Sequence, residues 1–328
     1  MVPIRVAGTG YYVPDKILHN LDLEKTLDTS DEWIYKRTGI RERRISRPDQ
    51  AASDLALPAA RQALANAGLS DRDLDLIVMA TITPDMCCPC GANVLQGKLD
   101  APQAVSFDVS AACSGFIFVL DVASRYLQSG AANTVLVTAS EVMSRVQDWT
   151  DRANCVLWGD GAGAVVLTRG EGRPALLDTY IGTDGVNGQD LLVPGAGSAT
   201  TPITHETVDS HLHTLKMINA SQSVRVAVKY FVHSVEVILA RHNLSKKDVD
   251  LFIPHQANAR MLQQVAKRLD VDIDRFMLTI ERYGNVSSAS SAIALAEAVA
   301  TGRIKPGDLV CFTVFGGGLT WGSALIQF

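Results

Sequence analysis

A repeat with a long period constrains the fold of this sequence more than any other feature. Residues 69–78 (LSDRDLDLIV) resemble residues 244–253 (LSKKDVDLFI), and Asp73 and Asp248 set the offset at 175 residues. In both segments a polar turn leads from the end of a helical pattern into an apolar run that is typical of a buried strand. One such match can arise by chance, so further matches in the same order decide the interpretation.

Two further matches follow in order along the chain. The same offset carries Cys113 to Ser288, and each of these residues directly precedes a helical pattern. Residues 158–166 resemble the Gly-rich stretch and final strand at 315–328. A chain of 328 residues is also too long for one small core. The sequence therefore predicts two related halves, residues 1–173 and 174–328.

Short β-rich runs alternate with longer helical runs, which indicates an α/β fold with a largely parallel or mixed sheet. Hydrophobic residues make up 47% of the chain and charged residues 20%, so the composition favours a folded globular protein over a disordered one. The predicted strands are residues 76–79, 104–109, 134–137 and 251–253. The predicted helices are residues 53–67, 114–129, 259–269 and 290–301, three of which a glycine follows.

Charge, hydropathy and cysteine content argue against several classes of function. A net charge of −5 gives no case for nucleic-acid binding, and no apolar run approaches the length of a membrane span. The N-terminus lacks the features of a signal peptide, so we expect a cytoplasmic protein. Cys87, Cys88 and Cys90 cluster without the second ligand pair of a zinc site, and a surface strand or loop explains His211 and His213 equally well. We therefore expect no metal site.

The first candidate for chemistry is Cys113, which lies between a β-rich run and an apolar helix. The unpaired N–H groups and positive dipole end of a helix N-terminus stabilise a thiolate, which lowers a cysteine pKa from about 8.5 toward neutrality. The small neighbours Ala111, Ala112, Ser114 and Gly115 leave room for a substrate. A buried core cysteine is an equally weighted alternative, because cysteine is among the most buried residue types.

His255 and Asn285 are the other two candidates. His255 follows the strand at 251–253, and ligands of α/β sheets bind at the carboxyl ends of strands. Asn285 follows Gly284 ahead of a helical pattern. Taken singly, each is better explained as a loop or turn residue. Because the repeat brings the junctions of both halves around one centre, the three candidates together supply a nucleophile and two oxyanion donors.

Glycine-rich stretches form the fourth element of the predicted site. In residues 315–318 (FGGG) the missing Cβ atoms let backbone N–H groups approach a reacting centre. A dinucleotide site is the rival interpretation, but this stretch runs into the final strand with no following helix. The glycine run at 159–163 also leads into a predicted strand, at 164–167. Neither stretch therefore predicts a Rossmann nucleotide site.

Seven short motifs are spread in order over the whole chain. They are GTG at 8–10, TSDEWI at 29–34, RTGIRER at 37–43, AACSGF at 111–116, PHQAN at 254–258, GN at 284–285 and FGGGLTWGS at 315–323. As an ordered set these motifs resemble the β-ketoacyl-[acyl-carrier-protein] synthase III family, the initiating condensing enzymes of type II fatty-acid synthesis within the thiolase superfamily.

The resemblance implies duplicated thiolase-like αβαβαββ halves in a five-layered αβαβα fold, assembled as a homodimer with a tunnel to Cys113. By similarity the chain is an acyltransferase whose Cys113 accepts an acyl group from a coenzyme A thioester, which is a substrate, so no cofactor is implied. His255 and Asn285 would hold the thioester carbonyl of malonyl-[acyl-carrier protein] during decarboxylation, and the enolate would attack the acyl-cysteine. The N–H groups of Cys113 and Gly317 would serve the acyl-transfer oxyanion, with Phe315 beside the thiol.

Matching positions also imply where the rest of the substrates bind. The residues implied to contact coenzyme A are Trp33 and Arg152 on either side of the adenine, Thr29 and Arg37 nearby, and Asn258 along the pantetheine arm. The residues of a possible basic patch for the acidic carrier protein are Arg225, Arg260, Lys267 and Arg268. A solvated helix face explains these charges equally well, since charge steering needs only local complementarity.

Two departures from the family pattern leave the acyl donor open. Cys88 stands where acetyl-using relatives have phenylalanine at the end of the acyl pocket, across the dimer, and its smaller side chain would admit a longer or branched starter. In residues 216–224, Ala220 replaces the usual glycine and Val224 the usual phenylalanine. The alternative function is therefore a specialised ketosynthase III-like acyltransferase of secondary metabolism, with such a donor or a non-carbon acceptor.

Two rivals come from other classes. A non-catalytic carrier-protein docking subunit would be expected to have lost the thiol or its partners, and this chain keeps Cys113, His255 and Asn285. A Cys–His hydrolase would need a histidine placed as a base against the thiol, with a third orienting group, and would release a free acid without malonate.

Overall fold

The structure is a computed structural model that describes residues 2–195, 197–200 and 203–328, with the backbone alone for 220–223. Its strands are β1 (Ile4–Tyr12), β2 (Lys16–His19), β3 (Glu42–Ile45), β4 (Leu76–Ala80), β5 (Val105–Val109), β6 (Thr134–Val142), β7 (Asp160–Arg169), β8 (Ala175–Thr183), β9 (Leu191–Leu192), β10 (Lys216–Met217), β11 (Leu251–Pro254), β12 (Leu309–Gly316) and β13 (Thr320–Gln327). Its helices are α1 (Asn20–Leu23), α2 (Asp31–Thr38), α3 (Ala52–Ala67), α4 (Gly91–Leu99), α5 (Gly115–Ser129), α6 (His205–Asp209), α7 (Ala220–Arg241), α8 (Ala259–Leu269), α9 (Ile280–Tyr283) and α10 (Ala289–Ala300). None of the helices in these ranges is long and apolar enough to span a lipid bilayer.

The predicted helices and strands are all present, with shifts of a few residues at their ends. Gly68 and Gly130 end α3 and α5 with left-handed φ angles of 68° and 78°, as predicted. One element differs, because most of the glycine run at 159–163 lies within β7 rather than ahead of a strand. A Cβ on Gly163 would lie 2.5 Å from the Cβ of Ala292, so these glycines let β7 pack closely against α10.

Nine strands are hydrogen-bonded in the order β11-β12-β13-β8-β1-β7-β6-β4-β5. Strands β1 and β8 meet at one paired position, Arg5 opposite Ala175, so the ladder consists of two sheets joined at an edge. In the first sheet β4 is parallel to β5 and β6, and β7 is antiparallel to β6 and β1. In the second sheet β11 is parallel to β12, and β13 is antiparallel to β12 and β8. The four strands of the second sheet therefore repeat the topology of β4, β6, β7 and β1 in the first.

Three groups of buried side chains order these elements into layers. Alternate strand residues of both sheets, such as Val78 and Phe312, pack against α5 and α10, which lie between the sheets. The other face of the first sheet, which includes Met79, packs against α3 and α4. The other face of the second sheet, which includes Cys311, packs against α7 and α8. The predicted five-layered αβαβα architecture is confirmed, and burial on both faces explains the nearly continuous apolar runs of the central strands.

The second half is not a complete copy of the first. Strand β5 pairs along its length with β4, whereas the equivalent place in the second half has one isolated bridge, between Phe252 and Phe276. Strand β5 is thus the outer strand of its sheet, where Val105 is 61% exposed. The predicted boundary after residue 173 falls between β7 and β8 and stays a prediction.

Candidate active site

Cys113 lies in the turn that joins β5 to α5. A short 3-10 turn precedes α5, and Ala112 adopts a left-handed φ of 44° within it. Ser114 fastens the turn to β13, because its Oγ donates a hydrogen bond to the carbonyl oxygen of Thr320 (3.1 Å). Cys113 is therefore held at the N-terminus of α5, as predicted, and it is 5% exposed.

The thiol of Cys113 is neutral at rest, which corrects the expectation of a lowered pKa. Burial raises the pKa of Cys113 to about 12, although a hydrogen bond with Ser287 opposes this. A helix N-terminus stabilises a charge by about 0.3–1 kcal/mol, which is less than one pKa unit, whereas full burial shifts a pKa by roughly 3–5 units. Desolvation therefore outweighs the helix dipole, and the thiol needs a proton acceptor when it attacks.

Residues of the Gly-rich stretch at the end of β12 face this turn. A Cβ on Gly316 would lie 2.7 Å from the backbone N of Cys113 and 3.0 Å from that of Ser114, so glycine is required there. The neighbouring Gly317 lines the cavities that flank Cys113, and Phe315 lines the larger one. The stretch therefore approaches the thiol as predicted.

His255 directly follows β11, and its backbone N donates a hydrogen bond to the carbonyl oxygen of Thr313 (2.9 Å). The residue is 2% exposed, and its Nδ1 has no hydrogen-bond partner within the described ranges. Burial lowers the pKa of His255 to about 3. The imidazole is therefore neutral near pH 7, when one ring nitrogen carries a proton that it can donate.

Asn285 follows Gly284, which caps the C-terminus of α9 and has a left-handed φ of 65°. Its backbone is hydrogen-bonded to the segment at 157–159. The backbone N of Asn285 donates to the carbonyl oxygen of Leu157 (2.8 Å), and its carbonyl oxygen accepts from the backbone N of Gly159 (3.0 Å). Its side-chain Oδ1 accepts a hydrogen bond from the backbone N of Ser287 (2.8 Å). This bond turns the amide so that its NH₂ group is left to donate elsewhere.

Cys113, His255 and Asn285 line one cavity of about 520 Å³. The structure thus brings together the three candidates that the sequence placed at separate junctions. The cavity also reaches further predicted substrate contacts, namely Trp33, Arg37, Arg152 and Asn258. Its remaining walls are largely apolar.

The outer end of this cavity is built around Trp33. The guanidinium carbons of Arg37 and Arg152 lie 4.5 Å and 5.3 Å from the centroid of the indole ring. Arg152 is also ion-paired with Asp28 (Nη1–Oδ2 3.1 Å). Thr29 lies just before α2 and does not line the cavity, and its hydroxyl oxygen is buried without a partner in the described part of the chain.

Asn258 has a structural task that the sequence did not reveal. It is the N-cap of α8, and its Oδ1 accepts hydrogen bonds from the backbone N of Arg260 (2.9 Å) and Met261 (3.3 Å). Its Nδ2 donates to the carbonyl oxygen of Arg37 (3.0 Å), which ties α8 to α2. Asn258 therefore shapes the cavity wall whether or not it touches a substrate.

A second cavity, of about 240 Å³, lies on the other side of Cys113. The resemblance implies an acyl pocket, but the residues that form these walls could not be named from the sequence, because they come from segments far apart in the chain. Its apolar walls are Ile82, Met143, Val146, Trp158, Leu191, Leu192, Val193 and Leu215. Cys88 is exposed and lines neither cavity within the described residues of one chain, so its contribution across a dimer stays a prediction.

The basic residues proposed for carrier-protein docking lie on the outer helices of the second half. Arg225 is on α7, and Arg260, Lys267 and Arg268 are on α8; all four are exposed. Lys267 and Arg268 lie in the last turn of α8, where positive charge interacts favourably with the helix dipole. Helix α8 begins at the cavity wall, where Asn258 and Met261 line the cavity, and Arg260 lies in that first turn.

Comparisons with known proteins agree with this geometry. A family model described as 3-oxoacyl-[acyl-carrier-protein (ACP)] synthase III matches residues 107–185, and one described as the C-terminal part of that synthase matches residues 239–328. A β-ketoacyl-[acyl-carrier-protein] synthase III from Caldanaerobacter subterraneus subsp. tengcongensis is 47% identical over 98% of this chain and 97% of its own. The protein of that name from Alkalilimnicola ehrlichii is 46% identical over 99% of each chain.

A solved structure extends the likeness to three dimensions. The crystal structure of 3-oxoacyl-[acyl-carrier-protein] synthase III from Aquifex aeolicus VF5 superposes with a TM-score of 0.90 at 41% identity, covering 99% of this chain and 100% of that one. The fold and the similarity over the full chain define an acyltransferase of the condensing-enzyme class. The chain belongs to the β-ketoacyl-[acyl-carrier-protein] synthase III family.

Proposed function

We propose that the protein condenses an acyl-coenzyme A starter with malonyl-[acyl-carrier protein], through an acyl-cysteine on Cys113, and so initiates fatty-acid synthesis. The observation that carries the proposal is the position of Cys113 between two cavities. A thioester arm in the larger cavity reaches the thiol, and the smaller apolar cavity receives the acyl group. Acyl-coenzyme A is a substrate in this scheme, and the reaction uses no cofactor.

In the first half-reaction the sulfur of Cys113 attacks the thioester carbonyl carbon, and coenzyme A leaves. Negative charge gathers on the carbonyl oxygen, where the backbone N–H groups of Cys113 and Gly317 would donate to it. The close packing of Gly316 against the N-terminus of α5 supports this assignment, because it brings the two backbone segments together. Phe315 lines the same cavity and helps to exclude water.

In the second half-reaction malonyl-[acyl-carrier protein] loses carbon dioxide. The enolate oxygen that forms would accept hydrogen bonds from the neutral imidazole of His255 and the amide NH₂ of Asn285. Both groups line the cavity and are almost fully buried, and donors placed in advance in a dry site stabilise such charge strongly. The enolate carbon then attacks the acyl-cysteine and releases Cys113.

The remaining contacts follow from the shape of the larger cavity. We expect the adenine of coenzyme A at Trp33, where Arg37 and Arg152 already stack against the indole ring. Thr29 is the weakest member of this set, because it lies off the cavity wall. We expect the acidic carrier protein to dock on the exposed basic residues of α7 and α8.

We further propose a homodimer formed along β5. This strand is an outer strand with an exposed apolar side chain, Val105, and unpaired strand edges readily pair with another chain. In such a dimer, the loop that contains Cys88 in one subunit would approach the acyl cavity of the other.

We also propose a cytoplasmic location, since all six cysteines are free, as is usual in a reducing compartment.

The family relatives favour this reaction over the specialised acyltransferase of secondary metabolism. They carry the synthase III name at 46–47% identity over nearly the whole chain. The starter acyl group is not decided by that likeness. Cys88 and Val224 are the sequence departures that bear on it, while the side chain of Ala220 lies outside the described part of the chain.

Mass spectrometry of the intact protein after exposure to a panel of acyl-coenzyme A thioesters tests the proposal. One acyl group should add to the wild type, and none to Cys113→Ser. Addition of malonyl-[acyl-carrier protein] should then discharge the acyl group and release carbon dioxide. Unchanged labelling of Cys113→Ser, or discharge to a free acid without malonate, would contradict the proposal.

A further inference from the structure

A fully buried glutamine, Gln256, lies two residues past the end of β11 and is 0% exposed. Its Nε2 donates hydrogen bonds to the carbonyl oxygens of Pro254 (2.9 Å) and Met277 (3.0 Å). Its Oε1 accepts hydrogen bonds from the backbone N of Thr279 (2.9 Å) and Ile280 (3.2 Å). A side-chain amide has two donor hydrogens and two acceptor positions, so all four are used within the protein.

These four hydrogen bonds join the chain segments that carry His255 and Asn285. On one side, Gln256 directly follows His255. On the other side, its Oε1 accepts from the N-terminus of α9, where the N-cap residue Thr279 makes no side-chain capping bond to the described residues. Helix α9 has four residues, and Gly284 and Asn285 come directly after it. One turn of helix therefore separates the contacts of Gln256 from Asn285.

The imidazole of His255 depends on its backbone for its position. Its Nδ1 has no hydrogen-bond partner within the described ranges, so no such bond at this nitrogen fixes the direction of the ring. The backbone N of His255 is bonded to Thr313, and the backbone of Asn285 is bonded to the segment at 157–159. Gln256 supplies the side-chain link between the end of β11 and the segment that leads into Asn285.

We propose that Gln256 is a positioning residue that sets the separation of His255 and Asn285, so that both donors reach the enolate oxygen. This inference rests on the proposed function. Gln256 itself lines neither cavity in the described structure, so it acts through its neighbours and does not touch the substrate. The acyl-transfer oxyanion is assigned to the backbone N–H groups of Cys113 and Gly317, which lie on other segments. Only decarboxylation should therefore depend on Gln256.

Two variants change this side chain in graded steps. Gln256→Met retains most of the length and removes all four hydrogen bonds, whereas Gln256→Glu retains two acceptor oxygens for the N-terminus of α9. In Gln256→Met, release of labelled carbon dioxide from saturating malonyl-[acyl-carrier protein] should fall by about tenfold to a hundredfold, because small displacements of reacting groups slow catalysis on this scale. Its KM, and single-turnover acylation of Cys113 measured by mass spectrometry, should stay at the wild-type values. Gln256→Glu should recover part of the lost rate.

A double-mutant cycle with His255→Ala separates positioning from a general loosening of the fold. If Gln256 acts through the imidazole, Gln256→Met should slow decarboxylation much less once His255 has been replaced, because the effects of coupled residues are not additive. The same full loss in both backgrounds would overturn the proposal. Equal losses of acylation and decarboxylation in Gln256→Met would also overturn it. If Gln256→Met does not fold, the cycle is measured with Gln256→Glu.

Gln50→Met is the matched control, because Gln50 is also a buried glutamine whose amide is hydrogen-bonded, to the backbone N of Arg47 (3.0 Å) and the hydroxyl of Tyr12 (3.3 Å). It lines neither cavity in the described part of the chain and should retain both half-reactions.

A crystal structure of Gln256→Met tests the geometry without a substrate. The distance between the imidazole of His255 and the amide of Asn285 should differ from that in the wild type by more than about 0.5 Å, the tolerance of a preorganised site. An unchanged distance would overturn the proposal. A changed distance, together with a wild type that is acylated but releases no carbon dioxide from malonyl-[acyl-carrier protein], would retain the role of Gln256 in the geometry and contradict the proposed function.

Discussion

The two halves of the molecule share a backbone at the active site and differ in its side chains. Ala112 and Ser287, 175 residues apart, both have left-handed φ angles, of 44° and 47°. Each is followed by a residue that lies just ahead of a central helix, Cys113 ahead of α5 and Ser288 ahead of α10. The thiol of Cys113 faces two cavities, whereas the hydroxyl of Ser288 donates to the buried Glu141. The same local backbone thus holds the proposed nucleophile in one half and an interior hydrogen bond in the other.

Two further pairs of positions show the same division. Strand β4 ends with Ala80, and the equivalent place after β11 holds His255. Near the end of β6 stands Glu141, and the equivalent place in β12 holds Gly316. The duplicated fold therefore supplies the same backbone in both halves, and single side chains at paired positions distinguish the proposed nucleophile and hydrogen-bond donor from their counterparts. The predictions below test that division, beginning with the largest expected effect.

Exchanging the two helix-start residues tests whether position or residue type decides the nucleophile. Cys113→Ser should lower acylation by more than about a thousandfold, because a neutral serine is a far weaker nucleophile. The double variant with Ser288→Cys should remain unacylated, since residue 288 faces Glu141 and lines neither cavity in the described structure. An acyl group found on residue 288 by peptide mass spectrometry would show that the halves are interchangeable.

His255→Ala makes the second half resemble the first at this strand end. Condensation, measured as release of labelled carbon dioxide, should fall by about a hundredfold to a thousandfold, the usual loss for one oxyanion donor. Acylation of Cys113 should be largely retained, because that step uses backbone donors. His205→Ala, at an exposed position of α6, is the control and should leave both steps unchanged. Equal loss of both steps would contradict the division of roles.

Gly316→Ala adds a Cβ at the position that is equivalent to Glu141 in the first half, where a full side chain is accommodated. The atom would lie 2.7 Å from the backbone N of Cys113, so the start of α5 must shift. Single-turnover acylation should fall by about tenfold to a hundredfold, since small displacements of reacting groups slow catalysis on this scale. Gly97→Ala in α4 has no atom within 4 Å of its new Cβ and should retain activity. Full activity in Gly316→Ala would show that the close approach is dispensable.

The buried imidazole of His255, in the second half, should make the stability of the folded protein decrease at acid pH. The pKa of His255 is about 3 in the folded protein, below its ordinary 6.5, so the unfolded chain binds more protons between these values. The neutral imidazole of His255 therefore contributes its full share to the free energy of unfolding above pH 6.5. As the pH falls from 6.5 toward 3, this contribution decreases by at most about 1.4 kcal/mol per pH unit. Urea unfolding of the wild type and His255→Ala at several pH values should show a shallower acid dependence in the variant. If the free energy of unfolding depends on pH in the same way in both proteins, His255 is not held in a buried, neutral state.

Charge reversal on the outer helices should have the smallest effect. Lys267→Glu on α8 should raise KM for malonyl-[acyl-carrier protein] by about threefold to tenfold at low salt, with a smaller change at high salt. Arg61→Glu is the matched change on the outer helix α3 of the first half, where the residue is also exposed. It should leave KM unchanged. Equal effects at both positions would indicate that net charge, and not a docking face, is responsible.

Much of the frame could be predicted from the sequence, because its signals are local. Apolar periodicity and a following glycine mark α3 and α5, and both glycines have the expected left-handed conformation. The 175-residue repeat predicted that the junctions carrying Cys113, His255 and Asn285 meet around one centre. The Gly-rich stretch before β13 was also expected near the thiol, because consecutive glycines allow a backbone to approach a reacting centre closely.

The remaining properties of the site depend on which distant residues surround each group. The pKa of Cys113 was predicted with the wrong sign, because the helix start is visible in the sequence and the burial that opposes it is not. The second cavity combines segments from Ile82 to Gly317, and no periodicity links them. Thr29, expected near the coenzyme A adenine, does not line the cavity, and its contact with the substrate stays a prediction.

The repeat, the helix starts and the residue types of the site were thus determined by the sequence alone, since they follow from local patterns and their spacing. Only the tertiary structure decided that Ser287 would meet Cys113, 174 positions earlier, and that Glu141 would be enclosed by donors from two other segments. Protonation, hydrogen bonding and cavity shape depend on solvent exclusion, and solvent is excluded only when both halves have packed around α5 and α10.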